Sequence, residues 1–121
     1  MLDSGAMSNF IQSADGLELT GPSSKTVSTA NGHVMKATMT ALLPLRQLKA
    51  GAREAIVIPE MSTKALMSVK QLANQGYTTI FHPYLQGVTV YDNDSFKLVT
   101  SKPPLLQGWR DTGGLWTVPI A

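Results

Sequence analysis

Apolar residues along this chain occur mostly in short runs that are rich in β-branched and aromatic side chains. Gly, Pro, Asn and Asp bound these runs, which is typical of strands separated by turns. The strand-length pieces are residues 10–11, 17–19, 34–35, 42–43, 56–58, 79–81, 88–90, 96–99 and 115–118, with Val27 and Met39 between them. Many short strands joined by turns predict a mainly β fold, either a barrel or a sandwich.

Three turns are predicted between these strands. Asp15-Gly16 and Asn31-Gly32 are dipeptides that suit positive φ, and Asn-Gly is the favoured pair of a type I′ hairpin. Residues 25–29 and 34–40 are therefore predicted to be the two arms of one hairpin. The third turn is predicted at residues 91–94, between the strands at 88–90 and 96–99.

One segment has helical periodicity. Val69, Leu72 and Ala73 fall at positions i, i+3 and i+4, so they share one face of a helix. Ser62 or Ser68 suits the N-cap, and Gly76 stands where a glycine follows the last turn. The pattern predicts one short helix over residues 66–75.

Composition excludes several classes of protein. The 121 residues suit one domain, and 43% hydrophobic against 15% charged residues gives enough apolar surface for a core. The net charge is +2 and the Lys and Arg residues are scattered, so no nucleic-acid partner is predicted. The absence of Cys from the sequence excludes disulfides, thiolate zinc sites and Cys nucleophiles.

No membrane or metal partner is predicted either. No apolar run approaches the roughly 20 residues of a membrane span, and the N-terminus lacks the pattern of a signal peptide, so a cytoplasmic location is expected. His33 and His82 are far apart in sequence, and they could share a metal only if the fold brought them together.

The sharpest local motif is the segment Leu2-Asp3-Ser4-Gly5-Ala6-Met7-Ser8. An apolar residue runs into Asp-Ser-Gly, followed by a small residue and a second hydroxyl, which is the active-site signature of aspartic proteases. In this interpretation a strand delivers Asp3 to a tight loop, and Gly5 lets the backbone turn. Ser4 would hydrogen-bond beneath the loop and hold the carboxylate. The same tripeptide is also common as an ordinary N-terminal turn.

The order of the elements supports the protease interpretation. The chain resembles the retropepsin-like aspartic proteases. Its local sequence motifs resemble those of the proteases from copia-type retrotransposons. The matching segments are the catalytic loop at 2–10, the flap and its continuation at 25–43, the next strand at 55–59, Ala65-Leu66-Met67-Ser68, the helix at 69–76 and the strand at 77–81. In this match Ser68 replaces a glycine, as it does in copia-type chains.

The resemblance implies a fold, a division of the chain and a set of site residues. The expected fold is a mainly β, retropepsin-like closed β-barrel with a flap hairpin and one short α-helix. Residues 1–100 would form the protease domain, and residues 101–121 resemble the start of the pre-integrase segment. The implied site consists of the catalytic Asp3, the catalytic loop Ser4, Gly5 and Ala6, and the substrate-binding flap Ala30, Asn31, Gly32 and His33.

The implied activity is that of an aspartic endopeptidase that cleaves a retrotransposon polyprotein. Such hydrolysis needs two carboxylates that share one proton, because close like charges leave one group as acid and the other as base. A chain with one motif supplies the pair as a twofold homodimer, with Asp3 from each subunit on the axis. The partners expected are a second copy of the chain and a peptide substrate, and no metal or cofactor is required.

Three alternatives remain open from the sequence. Asp111-Thr112-Gly113 could supply a second carboxylate within the chain, but no apolar strand precedes it, which favours a turn. Only Met1 and Leu2 precede Asp3, whereas the family has a full strand there that helps to join the dimer; this favours a catalytically inactive dimerisation or spacer module. An unrelated β-barrel binding domain would leave Asp3 exposed and unconstrained.

Overall fold

Strands predominate in the structure, which confirms the prediction of a mainly β protein. The computed structural model describes residues 1–29, 32–84 and 87–120. The chain divides into two compact units, Met1–Gln71 and Leu72–Ala121. The domain boundary expected at residue 100 from the resemblance stays a prediction.

The first unit contains one large sheet and one separate hairpin. The strands are β1 (Leu2–Asp3), β2 (Asn9–Ile11), β3 (Glu18–Pro22), β4 (Thr26–Ser28), β5 (Val34–Lys36), β6 (Met39–Leu42), β7 (Glu54–Val57) and β8 (Ala65–Ser68). Six of them form a sheet in the order β1-β8-β2-β7-β6-β3, while β4 and β5 pair only with each other. The β1–β8 and β2–β7 pairs are parallel and the others antiparallel. Each parallel pair joins segments more than 40 residues apart, so this topology is set by long-range contacts.

The described strands form an open sheet and do not close into a barrel. Its edges are β1 and β3, each hydrogen-bonded to a single neighbour in the described part of the chain. The β3 edge is irregular, since its register shifts between Leu19 and Gly21, and Pro22 has no N–H to donate. A bulge and a proline are two of the devices that stop a sheet from extending at its edge.

The core of the first unit lies on both faces of β7. Because successive strand residues point to opposite faces, Ile56 and Val57 belong to different clusters. The Val57 cluster contains Ile11, Ala41, Leu43 and Ala55, and the Ile56 cluster contains Ala37, Ile58 and Met61. The continuous apolar run of β7 is therefore that of a central strand buried on both sides.

The described residues contain two short α-helices. The first lies within the first unit, and the second begins there and ends in the second unit. The single turn α1 (Ala50–Arg53) was not predicted. Helix α2 (Val69–Asn74) lies inside the predicted segment 66–75, but it begins three residues later because residues 66–68 extend β8. Ser68 Oγ accepts a hydrogen bond of 3.0 Å from Gln71 N–H, which confirms the N-cap, and Gly76 follows the helix with a φ of 89°.

The second unit holds two hairpins. Strands β9 (Tyr77–Phe81) and β10 (Val88–Asp92) pair antiparallel, as do β11 (Trp109–Arg110) and β12 (Trp116–Thr117). The turn predicted at 91–94 is present as a 3₁₀ turn, Asn93–Ser95, which begins where Asp94 N–H donates to Asp92 Oδ1 at 3.0 Å.

The strand predicted at 96–99 is absent from the described structure. Leu98 and Val99 are 71% and 80% exposed, and none of the described strands pairs with this segment. Phe96 instead stacks on Tyr91, with the ring centroids 5.0 Å apart. The apolar residues of this segment therefore do not have the burial that strand pairing would require.

Two features are absent from the described part of the chain. None of the helices in that part of the chain is long and apolar enough to cross a membrane. No group of three or more His, Asp or Glu side chains among the described residues is placed to hold a metal ion.

Candidate active site

Asp3 lies where β1 ends, on the edge of the large sheet. Its backbone pairs in parallel with that of Ser68 at the end of β8. The side chain is half-buried, and Asp3 Oδ1 accepts a hydrogen bond of 2.8 Å from Gly5 N–H. The chain therefore turns tightly directly after Asp3, as the motif predicts, and the turn holds one carboxylate oxygen in place.

Ser68 supports both ends of the Asp3–Ala6 loop. It is fully buried, and its hydroxyl donates a 2.7 Å hydrogen bond to the carbonyl oxygen of Ala6 while its backbone pairs with Asp3. Ser4, which was predicted to support the loop from below, is exposed instead. The hydroxyl beneath the loop belongs to Ser68, because β8 runs parallel to β1 and ends at the same place.

A fully buried asparagine fixes Ser68 in turn. Asn9 Oδ1 accepts a 2.7 Å bond from Ser68 N–H, and Asn9 Nδ2 donates to the carbonyl oxygens of Ala52 and Glu54 at 2.8 and 3.0 Å. Asn9 N–H donates to Gln71 Oε1 at 2.9 Å. Buried polar groups are stable only when they are paired, and this asparagine is bonded through every polar atom of its side chain.

The side chain of Gln71 links α2 to α1 and to the start of β7. Gln71 Nε2 donates to the carbonyl oxygens of Gly51 and Glu54, at 2.9 and 2.8 Å. We call this hydrogen-bonded set of four residues, Ala6, Asn9, Ser68 and Gln71, the loop brace. The loop brace ties the Asp3 loop to β7, β8 and the start of α2, so Asp3 rests on regular secondary structure.

A cavity of about 710 Å³ lies against Asp3 in the first unit. Asp3 and Ala6 line it from the sheet edge, and Val27 and Met35 line it from the β4–β5 hairpin. Val27 and Met35 are directly paired across the hairpin, and both are less exposed than their sequence neighbours on β4 and β5. The hairpin thus presents an apolar face to the cavity, and the Asp3 side chain lines the same cavity from the sheet edge.

The tip of this hairpin differs in detail from the predicted type I′ turn. Thr29 N–H donates to the His33 carbonyl oxygen at 2.8 Å, and Gly32 N–H donates to the Thr29 carbonyl oxygen at 3.0 Å. Three residues separate the bonded pair, whereas a type I′ turn has two. Gly32 has a φ of 83°, which an L side chain adopts only with strain. The predicted flap residues Ala30 and Asn31 lie outside the described residues.

The cavity walls contain two methionines that also pack in the core. Met61 is buried in the Ile56 cluster with Ile58, and Met35 packs against that cluster, yet both methionines also line the cavity. Phe10 and Leu66 line it as well. The Ile56 cluster and the cavity therefore share these side chains.

One pair of polar side chains at the cavity was not predicted. His33 Nε2 of the hairpin lies 3.4 Å from Glu60 Oε2, in the segment that follows β7, and both residues line the cavity. The two side chains are 59% and 54% exposed, so water screens their attraction. No sequence signal indicates this pair, because His33 belongs to the predicted flap whereas Glu60 lies far along the chain and in no motif.

The second Asp-Thr-Gly motif forms a turn, as predicted. Asp111 Oδ1 accepts a 2.9 Å bond from Leu115 N–H, and Asp111 N–H donates to the Leu115 carbonyl oxygen at 2.8 Å. These bonds close the β11–β12 hairpin. The Asp111 carboxylate is therefore used to hold its own turn.

Comparison with known proteins adds no relative. No protein-family model matches the chain, and neither the curated proteins nor the solved structures gave a match.

Proposed function

We propose that this chain is an aspartic endopeptidase that acts as a homodimer, with Asp3 as the catalytic residue of each subunit. One observation carries the proposal: a half-buried carboxylate on a braced loop lines an apolar cavity beneath a β-hairpin. The retropepsin-like fold, with β4–β5 as its flap, is part of this proposal. The open edge strand β1 carries Asp3, so a second copy can approach the loop.

The chemistry requires the Asp3 carboxylates of two subunits to face each other across a twofold axis. One carboxylate, deprotonated, takes a proton from water as the water attacks the peptide carbonyl carbon. The protonated carboxylate of the other subunit donates a hydrogen bond to the carbonyl oxygen and later helps to protonate the leaving amine. The loop brace would hold each carboxylate in a fixed orientation. This lowers the free energy needed to bring the two carboxylates face to face.

The substrate in this proposal is an extended segment of a polyprotein. The apolar walls formed by Phe10, Ile58 and Leu66 fit apolar side chains near the cleaved bond. The flap lies over the cavity and would exclude water once a peptide strand is bound. No metal ion or cofactor takes part in this mechanism.

The test is cleavage of a peptide library by the purified chain and by two matched variants. Asp3→Asn removes the proposed acid–base group, and Asp111→Asn makes the same chemical change in the other Asp-Thr-Gly motif. The proposal expects wild type and Asp111→Asn to cleave the same peptides and Asp3→Asn to cleave none. Equal cleavage by Asp3→Asn would refute the assignment, and a folded dimer that cleaves nothing would favour the dimerisation module.

A further inference from the structure

The charge around the cavity is unevenly distributed. Two of the side chains that line it are carboxylates, Asp3 and Glu60. Among the described residues that line the cavity, none is Lys or Arg, and His33 is charged only when it is protonated. The cavity therefore combines an apolar wall with a negative rim.

A long basic side chain matches this combination better than a purely apolar one. Lysine and arginine carry an aliphatic stem that packs on apolar surface, while the charged end stays in contact with water. Here Met35, Met61 and Ile58 offer the apolar wall, and the half-exposed Glu60 carboxylate stands within reach of water. An aliphatic side chain would fill the same space without using Glu60.

We propose that Glu60 is a specificity-determining residue that selects a lysine or arginine side chain of the substrate. This inference rests on the proposed function, since it names the substrate of the same cavity. A bound basic side chain would place its cationic group against Glu60 Oε2, the oxygen that lies 3.4 Å from His33 Nε2 in the free protein. Because Glu60 is more than half exposed, the gain is that of a surface ion pair, roughly two- to fivefold in selectivity.

The test compares peptides that differ at a single position, which is scanned along a cleaved sequence. The position carries lysine, norleucine or glutamate, so that chain length is nearly constant and only the end group changes. Cleavage is measured as kcat/KM in mixtures of the three peptides. Binding of the same peptides to the Asp3→Asn protein is measured by fluorescence polarisation, which does not depend on catalysis.

Three variants are expected to change the preference between lysine and glutamate peptides in different directions. At one position, wild type should favour lysine over norleucine by roughly threefold and disfavour glutamate. Glu60→Gln should abolish the lysine preference, Glu60→Lys should shift it to glutamate, and Glu18→Gln, an equal charge change on β3 outside this cavity, should leave it intact. An unchanged preference in Glu60→Gln, or no reversal in Glu60→Lys, overturns the inference while the protease assignment stands.

The binding measurement covers the opposite case, in which the Glu60 inference holds and the protease proposal fails. A wild-type protein that cleaves no peptide, but whose Asp3→Asn form binds lysine peptides through Glu60, would retain the inference and refute the protease. A wild type that cleaves no peptide, together with an Asp3→Asn form that binds none, would overturn both.

Discussion

Replacement of Ser68 by alanine tests the loop brace most sharply. The hydroxyl makes two bonds, donating to the Ala6 carbonyl oxygen at 2.7 Å and accepting from Gln71 N–H at 3.0 Å. Ser68→Ala removes both without adding bulk to a fully buried position. The Ala6 carbonyl oxygen would then lose its partner inside the protein.

The expected loss of stability follows from these two bonds. A buried carbonyl left without a partner costs about 1–3 kcal/mol. Loss of an N-cap hydroxyl costs a further ~1 kcal/mol. The sum, roughly 2–4 kcal/mol, is below the ~5–15 kcal/mol that stabilises a typical domain, so the variant should still fold.

Urea unfolding measured by circular dichroism checks this value. With a slope of ~2 kcal/mol per molar urea, the middle of the usual range, the midpoint should fall by roughly 1–2 M. Ser24→Ala is the matched control, since Ser24 is exposed and the same hydroxyl is removed from the surface. A midpoint for Ser68→Ala that equals the midpoint of Ser24→Ala would refute the loop brace.

Three further predictions concern other contacts. Asn9→Ala should lower the free energy of unfolding at least as much as Ser68→Ala, because Ser68 N–H and the Ala52 carbonyl oxygen lose a buried partner and the Glu54 carbonyl oxygen keeps only its bond from Gln71; a smaller loss in the same urea assay would contradict this. Gly32→Ala should strain the flap tip by ~1 kcal/mol and raise KM more than it lowers kcat; unchanged kinetics would count against a flap role. Arg110→Ala removes a guanidinium 4.9 Å from the Trp116 ring centroid, so tryptophan fluorescence should change while unfolding shifts by under ~1 kcal/mol; an unchanged spectrum would disprove the contact.

The sequence predicted local structure well where a local signal exists. The N-cap at Ser68, the glycine at Gly76 and the hairpin around residue 32 all follow from short-range chemistry, and the structure confirms them. The predicted helix began three residues too early, because residues 66–68 pair with β1 and β2 as part of β8. Tertiary pairing of this kind leaves no trace in local propensity.

The supports of the site were harder to predict than its motif. Asp3 and Gly5 stand out because they belong to a recognisable tripeptide, and their predicted tight turn is present. Asn9 carries no such signal, and the N-cap signal of Ser68 does not indicate its bond to Ala6, since a buried polar residue looks like a surface one until the fold encloses it. The His33–Glu60 pair likewise depends on where the β4–β5 hairpin lies, which no local pattern encodes.

The most direct test of the central claim is a subunit-mixing experiment. Wild type and Asp3→Asn are unfolded together in varied ratios at constant total concentration, refolded, and assayed for peptide cleavage. If each active site needs Asp3 from both subunits, activity falls as the square of the wild-type fraction, to about a quarter in an equal mixture. A fall in direct proportion, to about half, would show that one chain carries a complete site and would contradict the account.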